Sequence, residues 1–302
     1  MDPAFVRTKI EFVLEVTGDF LVTEGRRITR DFSYPVPNLT DLVLVAGGEK
    51  FHVNKAILSI QSIVLRYFLQ EETELEMKII HPKTLQDILQ ILYHAPDINE
   101  HNVRNLLNYA QKYDLCCVWE QCKQFLLTTD TVPVDEKKWL ATFYNLGDLS
   151  ARSFKKKDFS EDSEFSDVVL IVQSEKFHVN KAILATASSY FHSMFFSGFQ
   201  ESKQSEIELK GIDPKAFKSL LEVIYHFPNI HENNVEDVLE LARMYDVPSA
   251  TTQCQWFLMG KNELGKEEKR RLAEEYGLVK LEEALKDKAI KQDVSESPST
   301  DQ

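Results

Sequence analysis

Cysteine is scarce in this chain. Its four residues, Cys116, Cys117, Cys122 and Cys254, fall in helical-looking stretches without the paired spacing of a disulfide scaffold. The adjacent Cys116-Cys117 also lacks the C-x-x-C form of a redox pair. Basic residues are in the minority, 35 against 48 acidic ones, and the net charge of −13 argues against a phosphate-rich partner such as nucleic acid and against an anionic membrane surface. Long apolar runs are missing: none approaches the roughly 18 residues of a membrane span, and no basic-then-apolar leader opens the chain. The expectation is an intracellular protein of the cytoplasm, the nucleus or both. Catalytic wording is missing too, with no G-x-G-x-x-G, no G-x-x-x-x-G-K-[ST], no H-E-x-x-H and no G-x-S-x-G. His94, His101, His226 and His231 follow no familiar zinc spacing. No enzyme, catalytic residue, metal or cofactor is expected.

What the chain does have is a repeated sentence. EKFHVNKAIL occurs at Glu49–Leu58 and again at Glu175–Leu184, 126 residues apart. Asp41–Val45 answers Asp167–Ile171 at the same spacing. Further on, Tyr93-His94, Tyr113-Asp114, Cys122 and Leu140 answer Tyr225-His226, Tyr245-Asp246, Cys254 and Leu272, now 132 apart. The second copy therefore carries six extra residues between its first helix and its next strand. A period this long marks a duplicated domain, not a solenoid repeat of roughly 20–50 residues. At 302 residues each half is long enough to bury a core of its own.

In chain order, residues 1–38 read as a private β-rich extension. Ile10, Phe12, Leu14 and Val16 alternate with charged residues, and turns at Gly18-Asp19 and Glu24-Gly25 follow. Each copy then opens with Asp and a short apolar strand. A break follows (Gly47-Gly48, Gln173-Ser174) and then Lys-Phe-His-Val, which predicts a β-hairpin. Asn54 and Asn180 stand where helix N-caps belong. Ser197-Gly198 reads as a helix stop and Glu206–Leu209 as a short strand. His81-Pro82 and Asp213-Pro214 each place proline at a first helical position. Asn-led helices with apolar stripes follow in both copies, Asn102 opening Val103–Tyr113. Trp119, Trp139 and Trp256 sit at helical apolar positions and are expected in the core. The charged stretch 155–164 reads as a solvated linker, and 291–302 as a disordered tail.

This order of elements, with this local wording, resembles the BTB/POZ domain. The likeness is carried by Phe165-Ser166-Asp167-Val168-Val169-Leu170, Phe177-His178 with Lys181 and Leu184, and Ser188-Ser189-Tyr190-Phe191 with Met194-Phe195. Phe199-Gln200-Glu201-Ser202 and Leu241-Ala242 with Tyr245-Asp246 extend it. The expected fold class is α+β, with two BTB/POZ-type domains at 39–127 and 165–260. Each would be a β-hairpin and a small strand packed on five to six helices. Helix pairs at 128–154 and 261–290 are similar to those that often follow this domain in ubiquitin-ligase adaptors. The first copy departs from the pattern at Ser62–Met77.

The resemblance implies a protein-interaction module that pairs with itself or with other BTB chains, within one chain or between chains, and in many members binds the N-terminal helices of cullin-3. Cullin-binding copies tend to carry an apolar residue, any residue and Glu after the third helix. Here that is Phe199-Gln200-Glu201, with Met194 and Phe195 beside it; the first copy offers only Leu69-Gln70-Glu71. The resemblance thus points to an adaptor that docks cullin-3 through the second copy and recruits targets for ubiquitination. The alternative is a dimerisation scaffold with no role in ubiquitin transfer. Asp41, His52 and Lys55, recurring as Asp167, His178 and Lys181, are expected in a pairing interface or a structural pocket rather than in an acid–base site.

Overall fold

The computed structural model describes residues 30–146, 157–197, 203–227, 229–260 and 262–286. Each copy begins with an antiparallel hairpin: β1 (Leu42–Ala46) with β2 (Glu49–Val53), and β4 (Val168–Val172) with β5 (Glu175–Val179). Both central strands alternate as the pleat requires, burying Leu42, Leu44 and Ala46 in one copy and Val168, Leu170 and Val172 in the other. The two-residue turns need positive φ at both positions to match strand twist. Gly47 and Gly48 supply it without strain, whereas Gln173 and Ser174 adopt it at φ 47° and 75°. The Gln173 amide steadies that turn by donating to the Ile212 carbonyl at 2.9 Å. A third strand, β3 (Glu74–Glu76) or β6 (Glu206–Leu209), adds in parallel to the central strand, giving the orders β2-β1-β3 and β5-β4-β6.

Between second and third strands run two short helices: α1 (Lys55–Gln61) and α2 (Ile63–Leu69) in the first copy, α7 (Lys181–Ala187) and α8 (Ser189–Phe196) in the second. The Asn54 side-chain oxygen accepts from the N–H groups of Ala56 and Ile57 at 3.0 and 3.2 Å, and that of Asn180 from Ile183 at 3.1 Å, so both expected caps are present. Ser62 and Ser188 cap the next helix and also donate to the carbonyls of Tyr113 and Tyr245, tying it to a helix about fifty residues downstream. The sheets then pack on α3 (Pro82–Leu92), α4 (Val103–Lys112) and α5 (Cys116–Thr128), with α6 (Val134–Phe143) outside. Their counterparts are α9 (Pro214–Ile224), α10 (Val235–Met244), α11 (Pro248–Met259) and α12 (Lys266–Tyr276), followed by a helical stretch over residues 279–286. Asn102 and Asn234 do not cap α4 and α10. Their side-chain oxygens accept instead from the N–H groups of Asn99 and His231, at 2.9 and 2.8 Å, closing the loop that enters each helix.

Two readings from composition are corrected. Residues 157–164, the described part of 155–164, are not simply a solvated linker, and 30–38, the described part of 1–38, is not wholly private to the first copy. Asp31-Phe32-Ser33 and Asp158-Phe159-Ser160 are a second, short repeat that opens each copy. In each, the aspartate Oδ1 accepts from the serine N–H and hydroxyl, at 2.9 and 2.6 Å in the first and 2.9 and 2.8 Å in the second. The phenylalanine carbonyl accepts from the histidine N–H of the hairpin, His52 or His178, at 2.7 Å in both. The ring is buried edge-on against a tyrosine, Phe32 on Tyr93 at 5.1 Å and Phe159 on Tyr225 at 5.0 Å. That tyrosine's hydroxyl accepts in turn from the N–H of the capping asparagine, 2.6 Å at Asn54 and 2.7 Å at Asn180. The expected alternation from Ile10 to Val16, the turns at Gly18-Asp19 and Glu24-Gly25, and the tail 291–302 lie outside the described residues.

Phe159 is 1% exposed, so Phe159→Ala should lower stability by about 3–5 kcal/mol. Glu161→Ala, at an exposed position of the same stretch, should stay within about 0.5 kcal/mol. Chemical denaturation of the two variants checks this, and equal small effects would return 155–164 to a linker.

Candidate functional site

The two copies meet face to face. Ile57 of α1 and Ile183 of α7, which hold equivalent positions, line one small space with the equivalent residues Leu92 and Ile224 at the ends of α3 and α9. The loops before the hairpins cross over reciprocally. Val36 and Leu39 pack on Ala182, Ala185 and Phe196 of the second copy, while Phe165, the counterpart of Leu39, lies 5.2 Å from the guanidinium of Arg66 in the first. Gln61 donates across the junction to the Tyr225 carbonyl at 2.9 Å. Because apolar helix faces close on each other here, the buried side chains of both halves form one continuous cluster rather than two separate cores.

His94 and His226 mark the centre. Each follows its helix in a left-handed conformation, φ 64° and 60°, and the rings stack at 4.3 Å with planes 12° apart. His226 Nε2 lies 3.3 Å from the Leu92 carbonyl, to which its protonated tautomer donates, while the buried His94 Nδ1 has no partner among the described residues. On one side of the rings stand Ile57, Gln61, Leu92, Ile183, Thr186 and Ile224, none of them a carboxylate, while His226 also borders a cleft that Glu120 lines. Burial, and then the neighbouring ring, holds His94 well below its ordinary range. Burial also brings His226 down to about 4, against the opposing effect of the Leu92 carbonyl.

The residues singled out from the sequence fall into three groups. Asp41 Oδ1 accepts from the Lys55 N–H at 2.6 Å, and Asp167 Oδ1 from the Lys181 N–H at 2.7 Å, so both carboxylates hold the first turn of a helix against the hairpin. His52 and His178 face Val43 and Val169 across the hairpin, and His178 Nδ1 comes within 3.7 Å of Asp162. Phe195 is a correction: it is 3% exposed, stacked on Phe191 and beneath Lys181, so it belongs to the core and is not available to a partner. Met194 is partly buried against the same core. Phe199, Gln200 and Glu201 lie outside the described residues. In the first copy Leu69 is fully buried, because the shorter connection to β3 draws it inward, leaving no exposed anchor at that position.

Trp139 corrects another expectation. It is 45% exposed on α6, stacked on the exposed Phe143 at 4.8 Å with Arg104 over its face. The second copy has Arg271 and Glu275 at those two places, and Arg271 bonds Glu236, Glu268 and Glu275 at 2.7–2.8 Å. The α2 helix exposes Ile63, Tyr67 and Phe68, where α8 has Ser189, Ser193 and Met194. Reading the copies only for their identities passed over these differences. Burial pushes the thiols of Cys117, Cys122 and Cys254 up, which makes them packing groups. Among the described residues no group of three His, Cys, Asp or Glu could hold a metal, and no helix is long and apolar enough to cross a membrane.

Both central rings are neutral in the folded chain to well below pH 6, whereas the unfolded chain protonates them near 6.5. The unfolded state therefore binds more protons as pH falls from about 6.5 toward 4, and stability falls with it. His226 alone should cost roughly 2 kcal/mol by pH 5 relative to pH 8, with His94 acting in the same direction. A His94→Phe, His226→Phe variant should lose less stability over that range in matched denaturation titrations. Parallel pH profiles for the two proteins would overturn this.

A BTB/POZ domain model matches residues 35–130 and 156–262. The chain is 29% identical over 305 aligned residues to BTB and MATH domain-containing protein 45 of Caenorhabditis elegans, covering 90% of this chain and 64% of that protein. It is 44% identical over 126 residues to BTB and MATH domain-containing protein 15 of the same organism, covering 41% and 46%. Against Kelch-like protein 40 of Xenopus laevis it is 39% identical over 106 residues, covering 35% of this chain and 17% of that one. The chain thus spans under two thirds of the length of each of these relatives. With matched ranges that cover both copies and two sheets of one topology, the chain belongs to the BTB/POZ domain family.

Proposed function

We propose that this protein is an adaptor that binds the N-terminal region of cullin-3 through its second copy and recruits targets for ubiquitination. One observation carries the reading: in the second copy α8 ends at Phe196 with Ser197 as its cap, three residues before Phe199-Gln200-Glu201, whereas the first copy's equivalent apolar residue, Leu69, is buried. An aromatic anchor next to a carboxylate is the kind of pair that concentrates interface energy. Met194, partly buried against the core, is the described residue assigned to the proposed contact. The Kelch-like and BTB-MATH relatives are compatible with an adaptor role.

A second reading, a scaffold without ubiquitin transfer, draws on the reciprocal contacts between the copies. Those faces are already occupied within one chain, so BTB pairing with other chains is not needed to cover them. In this reading partners meet the exposed aromatic groups of the first copy, Tyr67 and Phe68 on α2 or Trp139 and Phe143 on α6.

Calorimetry with the cullin-3 N-terminal region decides between the two. The adaptor reading expects micromolar or tighter binding, weakened roughly 30-fold in a Phe199→Ala, Glu201→Ala variant by loss of about 2 kcal/mol. No heat with the parent protein leaves the scaffold. Light scattering on the whole chain should give a monomer, and a dimer would mean that pairing faces remain open.

A further inference from the structure

Where α5 of the first copy runs beside α11 of the second, a cleft of about 400 Å³ opens, with His226 and Ile230 also on its wall. Sites between domains with a few convergent polar groups are common places for ligands. The two walls come from equivalent helices that have diverged. Gln121 and Gln253 match, but Glu120 and Gln124 on one side stand where the other has Thr252 and Trp256. The result is a carboxylate and an amide on one wall and an indole on the other. Among the described residues no lysine or arginine lines the cleft, and His226 is held neutral by burial. The carboxylate is positioned: the Gln124 amide donates to Glu120 Oε1 at 2.8 Å, while Lys123 reaches only 3.7 Å from Oε2 and does not line the cleft. Gln121, 8% exposed on the same wall, has a side-chain oxygen with no partner among the described residues, an acceptor left over. The last turn of α11, at Trp256, Phe257 and Gly260, adds the negative end of a helix dipole.

We infer that this cleft binds an arginine side chain presented by a partner protein, with the guanidinium between the Glu120 carboxylate and the Trp256 ring. A planar cation carrying five donors suits an acceptor wall opposite an aromatic face. A lysine ammonium matches the charge but not the stacking, and an anionic or purely apolar side chain would leave the acceptors unpaired. This assignment does not rest on cullin binding, because it is argued from residues of α5 and α11 and not from Phe199 or Glu201.

The test uses the full chain with ¹⁵N-labelled tryptophan, whose three indole N–H signals belong to Trp119, Trp139 and Trp256. The probe is the peptide acetyl-Ala-Ala-Arg-Ala-Ala-amide, compared with versions carrying citrulline or lysine in place of arginine. The Trp256 signal should shift and saturate with a dissociation constant of roughly 1 mM or below, as fits one anchored side chain, while the buried Trp119 stays in place. Citrulline should bind at least about fivefold more weakly, as should arginine with the Glu120→Gln variant, which keeps the side chain's shape and removes its charge. No movement of Trp256 at roughly 20 mM peptide, or equal binding by the citrulline peptide, overturns the site. So does equal binding of arginine by the Glu120→Gln variant, or lysine binding as well as arginine. The citrulline comparison needs no variant, so it stands even if Glu120→Gln folds poorly.

Discussion

The architecture depends on the contact of two apolar helix faces inside one polypeptide. Two free domains that pair must overcome the loss of translational and rotational freedom, which a tether reduces by raising their effective concentration. Here Leu39 and Phe165 each reach across to the other copy, and the His94 and His226 rings, one from each copy, lie flat against one another. Stacked imidazoles are an unusual choice for the centre of an apolar contact, because they hold it closed only while neutral. The isoleucines and leucine on their inner side give them little solvation for a proton.

Within each copy a chain of contacts links the opening segment to the first helix. Asp31 and Asp158 fold a tight turn, and the adjacent phenylalanine carbonyl then adds to the hairpin edge. The phenylalanine ring packs on a tyrosine whose hydroxyl accepts from the N–H of the capping asparagine. Asp41 and Asp167 hold the next N–H along. The duplicated residues that looked like a chemical constellation therefore serve the backbone. A carboxylate on a helix N-terminus is satisfied by donors already in place, which leaves it poorly suited to moving protons.

Much of this was legible in the amino-acid order, because the signals were local. Asn54 and Asn180 announced helix starts, Gly47-Gly48 a turn, and the six extra residues of the second copy a longer connection after α8. What stayed hidden was of two kinds. Phe159 sat in a stretch whose charged composition outvoted a single aromatic, although one buried ring is enough to order a segment. Trp139 and Phe195 were misplaced in opposite directions, since helical spacing alone says which residues share a face but not which face meets the core. The left-over acceptor of Gln121 had no sequence signature at all, being a property of two helices brought together from different copies.

Duplication followed by internal pairing also changes what evolution can do with the outer surfaces. In a dimer of identical chains, a substitution on an outer helix appears twice, and a face that gains an aromatic gains it on both sides. In this chain the scaffold residues Ser62 and Ser188, Tyr93 and Tyr225, and Cys122 and Cys254 stayed the same, while the exterior diverged. The first copy turned Trp139 and Phe143 outward, and the second placed Arg271 among three glutamates in the corresponding region. An exposed ion network contributes little to stability, and it opposes docking by an apolar partner because its charges would have to be desolvated. An apolar partner would therefore meet a smaller desolvation cost on the first copy's aromatic face than on the second copy's ion network.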